Sequence, residues 1–364
     1  MNKDSKIYIA GHRGLVGSAI HRNLIKKGYK NIITKTHNEL DLLNQTEVES
    51  FFKTEKPEFV FLAAAKVGGI MANSIYRGQF LYENLQIQNN IIHNSHLQNV
   101  KKLLFLGSSC IYPKNCPQPI KEDYLLTSEL EYTNEPYAIA KIAGMKMCEA
   151  YNMQYDTNFI SVMPTNLYGP GDNYDLEKSH VLPAMIRKMH LAKCLQNKNF
   201  EAIKIDLNNN PIENIDGQSS EKEIINILEK YGIINSSPVS LKLWGTGKPH
   251  REFLHSDDMA DACVYIMENI DFNDTYTKFG GSSDNKEIKN THINIGTGKD
   301  LLISELASLV KNTVEFTGNI IWDTDKPDGT FQKLLDVTKL HELGWKEKIS
   351  LEKGVSDIYK DYVK

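Results

Sequence analysis

The chain has 364 residues, enough for one large domain or two smaller ones sharing an interface. Hydrophobic residues make up 41% and charged residues 24%, and the formal net charge is −4, so no global basic field would draw the chain to nucleic acid or a membrane surface. No apolar run approaches a bilayer-spanning length, Met1 to Lys6 is polar, and five cysteines lack paired metal-ligand spacing, which together predict no metal and reduced thiols in a cytoplasmic protein.

The first half alternates short apolar runs with longer amphipathic stretches. Lys6 to Ala10 reads as a buried strand and Leu15 to Lys27 as a helix. Asn31 to Lys35 and Phe59 to Leu62 are the next strands, and Phe80 to Val100 carries a long helical pattern. Leu103 to Leu106 is strand again, Tyr137 to Tyr151 helix, and Phe159 to Met163 strand. This β-α alternation predicts an α/β fold: a Rossmann-like, doubly wound parallel sheet with helices on both faces. After Tyr168 the rhythm loosens, as expected of a smaller C-terminal substrate-binding lobe. The expected division is a dinucleotide-binding domain over 1–167, with returning segments near 251–268 and 290–298. The lobe then comprises 168–250 and 299–364. Between Gln196 and Ser240 an Asn-rich patch (Asn208 to Asn210) and a helix-like run (Glu221 to Lys230) predict a partly ordered surface insertion. Strands follow at Leu241 to Trp244 and His292 to Ile295, and helices at Ser304 to Val310 and Val355 to Tyr362.

Directly after the first strand stands Gly11-His12-Arg13-Gly14-Leu15-Val16-Gly17, a G-x-x-G-x-x-G turn opening a helix. Glycines let the backbone turn sharply and approach a pyrophosphate, and the helix N-terminus then offers N–H groups to the anion. After the second strand an acid would select NAD by holding the ribose hydroxyl. Here Lys35-Thr36-His37 precede the first acid, Glu39, so Arg13, Lys35 and His37 are candidates for a 2′-phosphate. Asp41 and Leu42 are placed to hold the adenine, and Ala63 and Ala64 leave room for a cofactor beside the third strand.

Tyr137 and Lys141 stand at i and i+4, on one helix face. An ammonium beside a phenol is expected to lower its pKa, so that Tyr137 gives a proton to a ketone oxygen as hydride arrives. Ser108 lies just past the strand ending at Leu106, at the sheet edge where ligands bind in open α/β folds. Phosphate loop, strand-end serine and Tyr-x-x-x-Lys, in that order, point to a reductase.

Long blocks spread over the chain carry a resemblance: Ile9 to Gly14, Leu62 to Gly69, Leu106 to Pro113, Asn134 to Lys141, Met163 to Pro170, Arg251 to His255, and Lys326 to Thr330. In these the sequence resembles the extended short-chain dehydrogenase/reductases, specifically the GDP-L-fucose synthase family. The resemblance implies epimerisation of a GDP-4-keto-6-deoxy sugar at C3 and C5, followed by reduction at C4 with NADPH. It implies reductase roles for Ser108, Tyr137 and Lys141, an epimerisation acid/base pair in Cys110 and His180, and cofactor contacts from Pro164, Asn166 and Leu167. Lys188, Trp244, Arg251 and Asp328 match its GDP-sugar contacts, and a homodimer through the two long helices is expected. Lys188 and His37 stand where the family has arginine, which leaves phosphate contacts open. Protons beside a C4 ketone are acidified because the carbanion is an enolate, and a thiol with an imidazole can exchange them near neutral pH. A dedicated 4-reductase for a GDP-4-keto heptose and a non-catalytic nucleotide-sensing protein are the alternatives.

Overall fold

The computed structural model describes residues 1–68, 75–277 and 288–364, so Gly69 of the Leu62 to Gly69 block lies outside the described residues. In chain order the elements are β1 (Ile7–Ala10), α1 (Leu15–Lys26), β2 (Ile32–Thr34), α2 (Gln45–Glu55), β3 (Phe59–Leu62), α3 (Arg77–Leu97), β4 (Lys102–Leu106), α4 (Glu135–Tyr155), β5 (Phe159–Pro164) and β6 (Asn166–Tyr168). There follow α5 (Val181–Gln196), α6 (Phe200–Asn209), α7 (Glu221–Lys230), β7 (Ile233–Ile234), β8 (Ser240–Trp244), β9 (His250–His255), α8 (Ser256–Asn269) and α9 (Asp274–Thr277). The chain closes with β10 (Ile293–Ile295), β11 (Asp300–Leu302), α10 (Ile303–Val314), β12 (Asn319–Asp323), β13 (Gln332–Lys333), α11 (Thr338–Glu342) and α12 (Leu351–Tyr362). It divides into two compact units: Met1–Gly171 with Glu252–Lys299 and Leu334–Ile349, and Asp172–Arg251 with Asp300–Lys333 and Ser350–Lys364.

In the first unit, six parallel strands form one sheet in the order β10-β5-β4-β3-β1-β2. Strand residues alternate between two buried faces, which is why these runs are apolar throughout. Ile7 and Ile9 join Ala19, Ile20 and Leu24 of α1 and the inner face of α8. Tyr8 and Ala10 point the other way, into a core with Val48, Phe51 and Phe52 of α2, Ile91 and Ile92 of α3, and Ile142 and Met145 of α4. The sheet is therefore doubly wound, as its sequence pattern predicts. Because β2 and β3 flank β1, the chain reverses direction between β1 and β3, and the crevice beyond their carboxyl ends is the ligand edge of such a sheet.

In the second unit, β8 pairs parallel with β12 and antiparallel with β7. Strand β9 starts in this unit, where His250 and Arg251 pair with β13. The stretch from Gln196 to Ser240, expected to be a partly ordered surface insertion, is instead regular structure. Asn208 and Asn209 close α6, and α7 begins on a capping box between Ser220 and Glu223. Ile203, Leu207, Ile224 and Leu228 are fully buried. The sequence under-reads α6 because one of its three buried residues is polar: Asp206 sits between Ile203 and Leu207 and is satisfied by Arg187 of α5.

Candidate active site

The phosphate loop is built by exclusion. Gly11 adopts φ +88°, and a Cβ there would lie 2.7 Å from the Ala64 nitrogen. A Cβ on Gly17 would lie 2.1 Å from the Gly11 carbonyl oxygen, so turn, helix and third strand touch backbone to backbone. Gly14 then starts α1 without a side-chain cap, which leaves first-turn N–H groups of Leu15, Val16 and Gly17 to an anion. The Nδ1 atom of His12, inside this loop, is buried with no partner. The open first-turn N–H groups behind a glycine turn fit a dinucleotide pyrophosphate.

The end of β2 supports a 2′-phosphate. The Glu39 carboxylate accepts from the N–H and hydroxyl of Thr36, each at 2.7 Å. Those bonds, with Lys35 and Arg13 nearby, hold it below the usual carboxylate range. The first acid after β2 is thus occupied by its own turn, and Arg13 and His37 beside it are both exposed. His37 Nδ1 lies 3.7 Å from Asp41, whose carboxylate also accepts from the Leu43 N–H at 3.0 Å. The Leu42 carbonyl is held by Asn90 of α3 at 2.8 Å. On the far side, the Ala63 N–H bonds Ala10, Pro164 pairs with Ile295, Asn166 donates to the Glu252 carbonyl at 2.8 Å, and Leu167 pairs with Leu254.

The next candidates lie at the carboxyl end of β4 and on α4. Ser108 caps the short turn Ser109–Ile111, its hydroxyl accepting from the Cys110 N–H at 3.3 Å, and that turn packs on α4. Lys141 is buried, its ammonium donating to the Leu106 carbonyl at 2.7 Å and lying 5.8 Å from the centre of the Tyr137 ring. Burial pulls the Lys141 pKa down to about 8, with the Cys110 thiol acting against the fall. The Tyr137 phenol departs from expectation. Its pKa is raised by burial and secondarily by Cys110, not lowered by Lys141. Desolvation outweighs an ammonium that is aimed at a carbonyl. Tyr137 consequently keeps its proton at neutral pH, the form a proton donor needs. Cys110 is buried and, like the other four cysteines, forms no disulfide.

The second unit assembles the remaining candidates. His180 is the N-cap residue of α5, and loss of solvation lowers its pKa. Two turns along α5, Lys188 makes no hydrogen bond or ion pair among the described residues, and burial pulls it down to about 8. Trp244 ends β8 with 64% of its surface exposed, and Lys326 lies 5.5 Å over its ring. Asp328 accepts from the Thr246 N–H at 2.8 Å and its hydroxyl at 2.7 Å. Arg251, whose pKa burial lowers and Asp328 partly restores, lies so near Gly329 that a Cβ there would meet its guanidinium at 2.9 Å. Trp244, Arg251 and Asp328 thus form one cluster. Sequence reasoning missed Thr246 and Lys326 in it, though Lys326 opens one of the family-like blocks. It also missed Glu252, buried in the first unit, whose carboxylate accepts from the N–H groups of Thr297 at 2.6 Å, Gly298 at 2.7 Å and Leu335 at 3.1 Å. Among the described residues no cluster of metal ligands occurs and no helix is long and apolar enough to cross a membrane.

A doubly wound sheet with a glycine-rich phosphate loop and a Ser, Tyr, Lys group at its ligand edge defines the class of nucleotide-dependent epimerases and reductases. Residues 7–208 and 214–296 match the NAD dependent epimerase/dehydratase family. Over 363 residues the chain is 50% identical to the putative GDP-L-fucose synthase 2 of Arabidopsis thaliana, covering 100% of this chain and 93% of the relative. It is 45% identical to the GDP-L-fucose synthase of Escherichia coli, with 97% and 95% covered. A solved GDP-D-glycero-L-gluco-heptose synthase from Campylobacter jejuni, studied in the presence of NADPH, is 48% identical with a TM-score of 0.91, both chains covered completely. The chain belongs to the GDP-L-fucose synthase family of NAD-dependent epimerase/dehydratase enzymes.

Proposed function

We propose that the protein is an NADPH-dependent oxidoreductase that reduces the C4 ketone of a GDP-linked 4-keto-deoxy sugar. The observation that carries this reading is the buried Lys141 beside a protonated Tyr137 on α4, the helix on which the turn capped by Ser108 packs, in the unit that holds the phosphate loop. When bound, NADPH supplies the hydride. Tyr137 gives its proton to the carbonyl oxygen, Ser108 donates to that oxygen from the strand end, and Lys141 stabilises the phenolate left behind. Arg13, Lys35 and His37 receive the 2′-phosphate, while Lys188, Arg251 and Asp328 grip the GDP moiety beside Trp244. The relatives' names support the substrate class: the fucose synthases and the heptose synthase alike are named for GDP-sugars.

Epimerisation at C3 and C5 is a second reading, favoured by one observation. Cys110 lies near enough to act electrostatically on both Tyr137 and Lys141, and its backbone N–H bonds the Ser108 hydroxyl, so its thiol belongs to the same group of side chains. The second role in proton exchange, given to His180, rests on the family resemblance. Cytoplasmic location and a homodimer through α3 and α4 belong to the same proposal; Tyr82, Leu97, Ile139 and Met153 on those helices are exposed apolar side chains.

The test is product analysis with GDP-4-keto-6-deoxymannose and a GDP-4-keto heptose side by side, following NADPH oxidation and deuterium uptake from heavy water. Oxidation with either sugar supports the reductase, and deuterium at C3 and C5 supports the epimerase. Reduction without carbon-bound deuterium leaves a dedicated 4-reductase.

A further inference from the structure

Segment 200–234 ties two parts of the second unit together. One is the loop 172–180, which ends at His180; the other is β8, which ends at Trp244. Toward the loop, the fully buried Arg187 donates to Asp206 from Nε at 3.0 Å and from Nη2 at 2.8 Å. The same guanidinium donates to the Tyr174 carbonyl at 3.1 Å and to the Asn210 carbonyl. Tyr362 donates its hydroxyl to the other Asp206 oxygen. One side chain thereby pins α6, the residue after it and the loop before His180.

A second tether lies nearer the surface. The Tyr231 hydroxyl is 3.1 Å from both Glu177 and Glu213. A phenol has one proton to give, and Glu213 already receives the Lys230 ammonium, so the Tyr231 proton falls to Glu177, three residues before His180. Toward β8, Gly232 accepts from the Lys242 N–H at 2.7 Å, and β7 pairs with Ser240 and Leu241. Gly232 has φ +89°, and a Cβ there would lie 2.6 Å from the Lys242 carbonyl oxygen, so this approach needs glycine.

We propose that segment 200–234 is a brace that sets the spacing between the His180 loop and the Trp244 strand, and so decides which sugar of the GDP-linked substrate is accepted. Arg187, Asp206 and Tyr231 are its positioning residues. The inference rests on the reading of this unit as the GDP-4-keto-sugar side. The buried Arg187–Asp206 pair is costly to break and makes the inner tether stiff, whereas the outer Tyr231–Glu177 bond is weak enough to be tuned.

The experiment measures reduction by the NADPH-loaded enzyme with a GDP-4-keto-6-deoxyhexose and a GDP-4-keto heptose, for wild type, Tyr231→Phe and Glu177→Gln. Tyr231→Phe should alter the kcat/KM ratio of the two sugars by about three- to tenfold, mostly through KM for the sugar, as expected for one lost hydrogen bond to a carboxylate. Its KM for NADPH and its melting temperature should stay put. Glu177→Gln keeps an accepting oxygen and should hold the wild-type ratio. If the wild type accepts one sugar only, KM for that sugar is the readout and should rise by the same factor. Asp206→Asn should move the ratio in the same direction where it folds. An unchanged ratio and KM in Tyr231→Phe, or an equal loss of kcat on both sugars, overturns the brace alone. A wild type that oxidises no NADPH with either sugar overturns the activity reading, and the brace with it.

Discussion

Lys141 is buried with its ammonium on the Leu106 carbonyl, and its pKa of about 8 places a limit on activity inside the working pH range. Below about pH 8 the group is charged and can hold a developing phenolate; as pH rises through that value the charge is lost. The kcat/KM for reduction should therefore fall on an alkaline limb near pH 8, and a flat profile to pH 10 would remove Lys141 from this role. Tyr137→Phe keeps the ring and loses the donor, so NADPH titration should be near normal while turnover drops by roughly 10²- to 10⁴-fold. Lys188 is a cation with no partner among the described residues, and the sign of its effect on stability follows from its pKa of about 8 against an ordinary 10.5. The unfolded chain binds this proton up to pH 10.5 and the folded chain only up to about 8, so folding pays the desolvation cost at neutral pH, and stability rises between those values. Lys188→Met should raise thermal stability at pH 7 by about 1–2 kcal/mol and abolish that rise, while weakening the GDP-sugar KM. A variant melting below wild type at pH 7 would contradict the unpaired cation.

At the scale of elements, the β1–α1 turn leaves no slack. The Cβ of a Gly17→Ala variant would press on the Gly11 carbonyl oxygen at 2.1 Å, backbone that cannot swing aside. The variant should lose stability by roughly 1–3 kcal/mol from overpacking and lose NADPH affinity by a larger factor than affinity for the sugar. Calorimetric titration of both ligands checks this, and an equal loss for the two would point to general unfolding. Helix α4 illustrates another local logic. Pro136 stands in its first turn, where the absent N–H is no loss, and the helix runs on to Tyr155, beyond the Tyr151 that periodicity gives. Helix α3 likewise begins at Arg77, three residues before the sequence pattern starts, because its first turn has little apolar character to read.

For the whole molecule, the cofactor preference is an electrostatic property spread over separate segments. Arg13 comes from the β1–α1 turn, Lys35 and His37 from the end of β2, and none needs deep burial to face a dianionic phosphate. NADPH should bind more tightly than NADH at low salt, and the difference should shrink from 0.05 to about 0.5 M ionic strength as the screening length drops below about 5 Å. Equal affinities at low salt would show that these cations do not read the 2′-phosphate.

Much of the first unit was legible because its signals are local: glycines at a turn that needs positive φ and close approach, apolar runs long enough for strands, and Tyr137 and Lys141 one helical turn apart. The family-like blocks added the residues that lie far apart in sequence. What no local pattern contained was the balance of forces once the chain packed. Burial, not the neighbouring ammonium, sets the protonation of Tyr137, because desolvation depends on everything that surrounds the ring. Thr246 meets Asp328 across 82 positions, and Glu252 gathers three N–H groups from two later segments. Segment 200–234 became ordered structure because Arg187 satisfies Asp206 from another helix, and a polar helix face is stable only when the partner that neutralises it arrives through the fold.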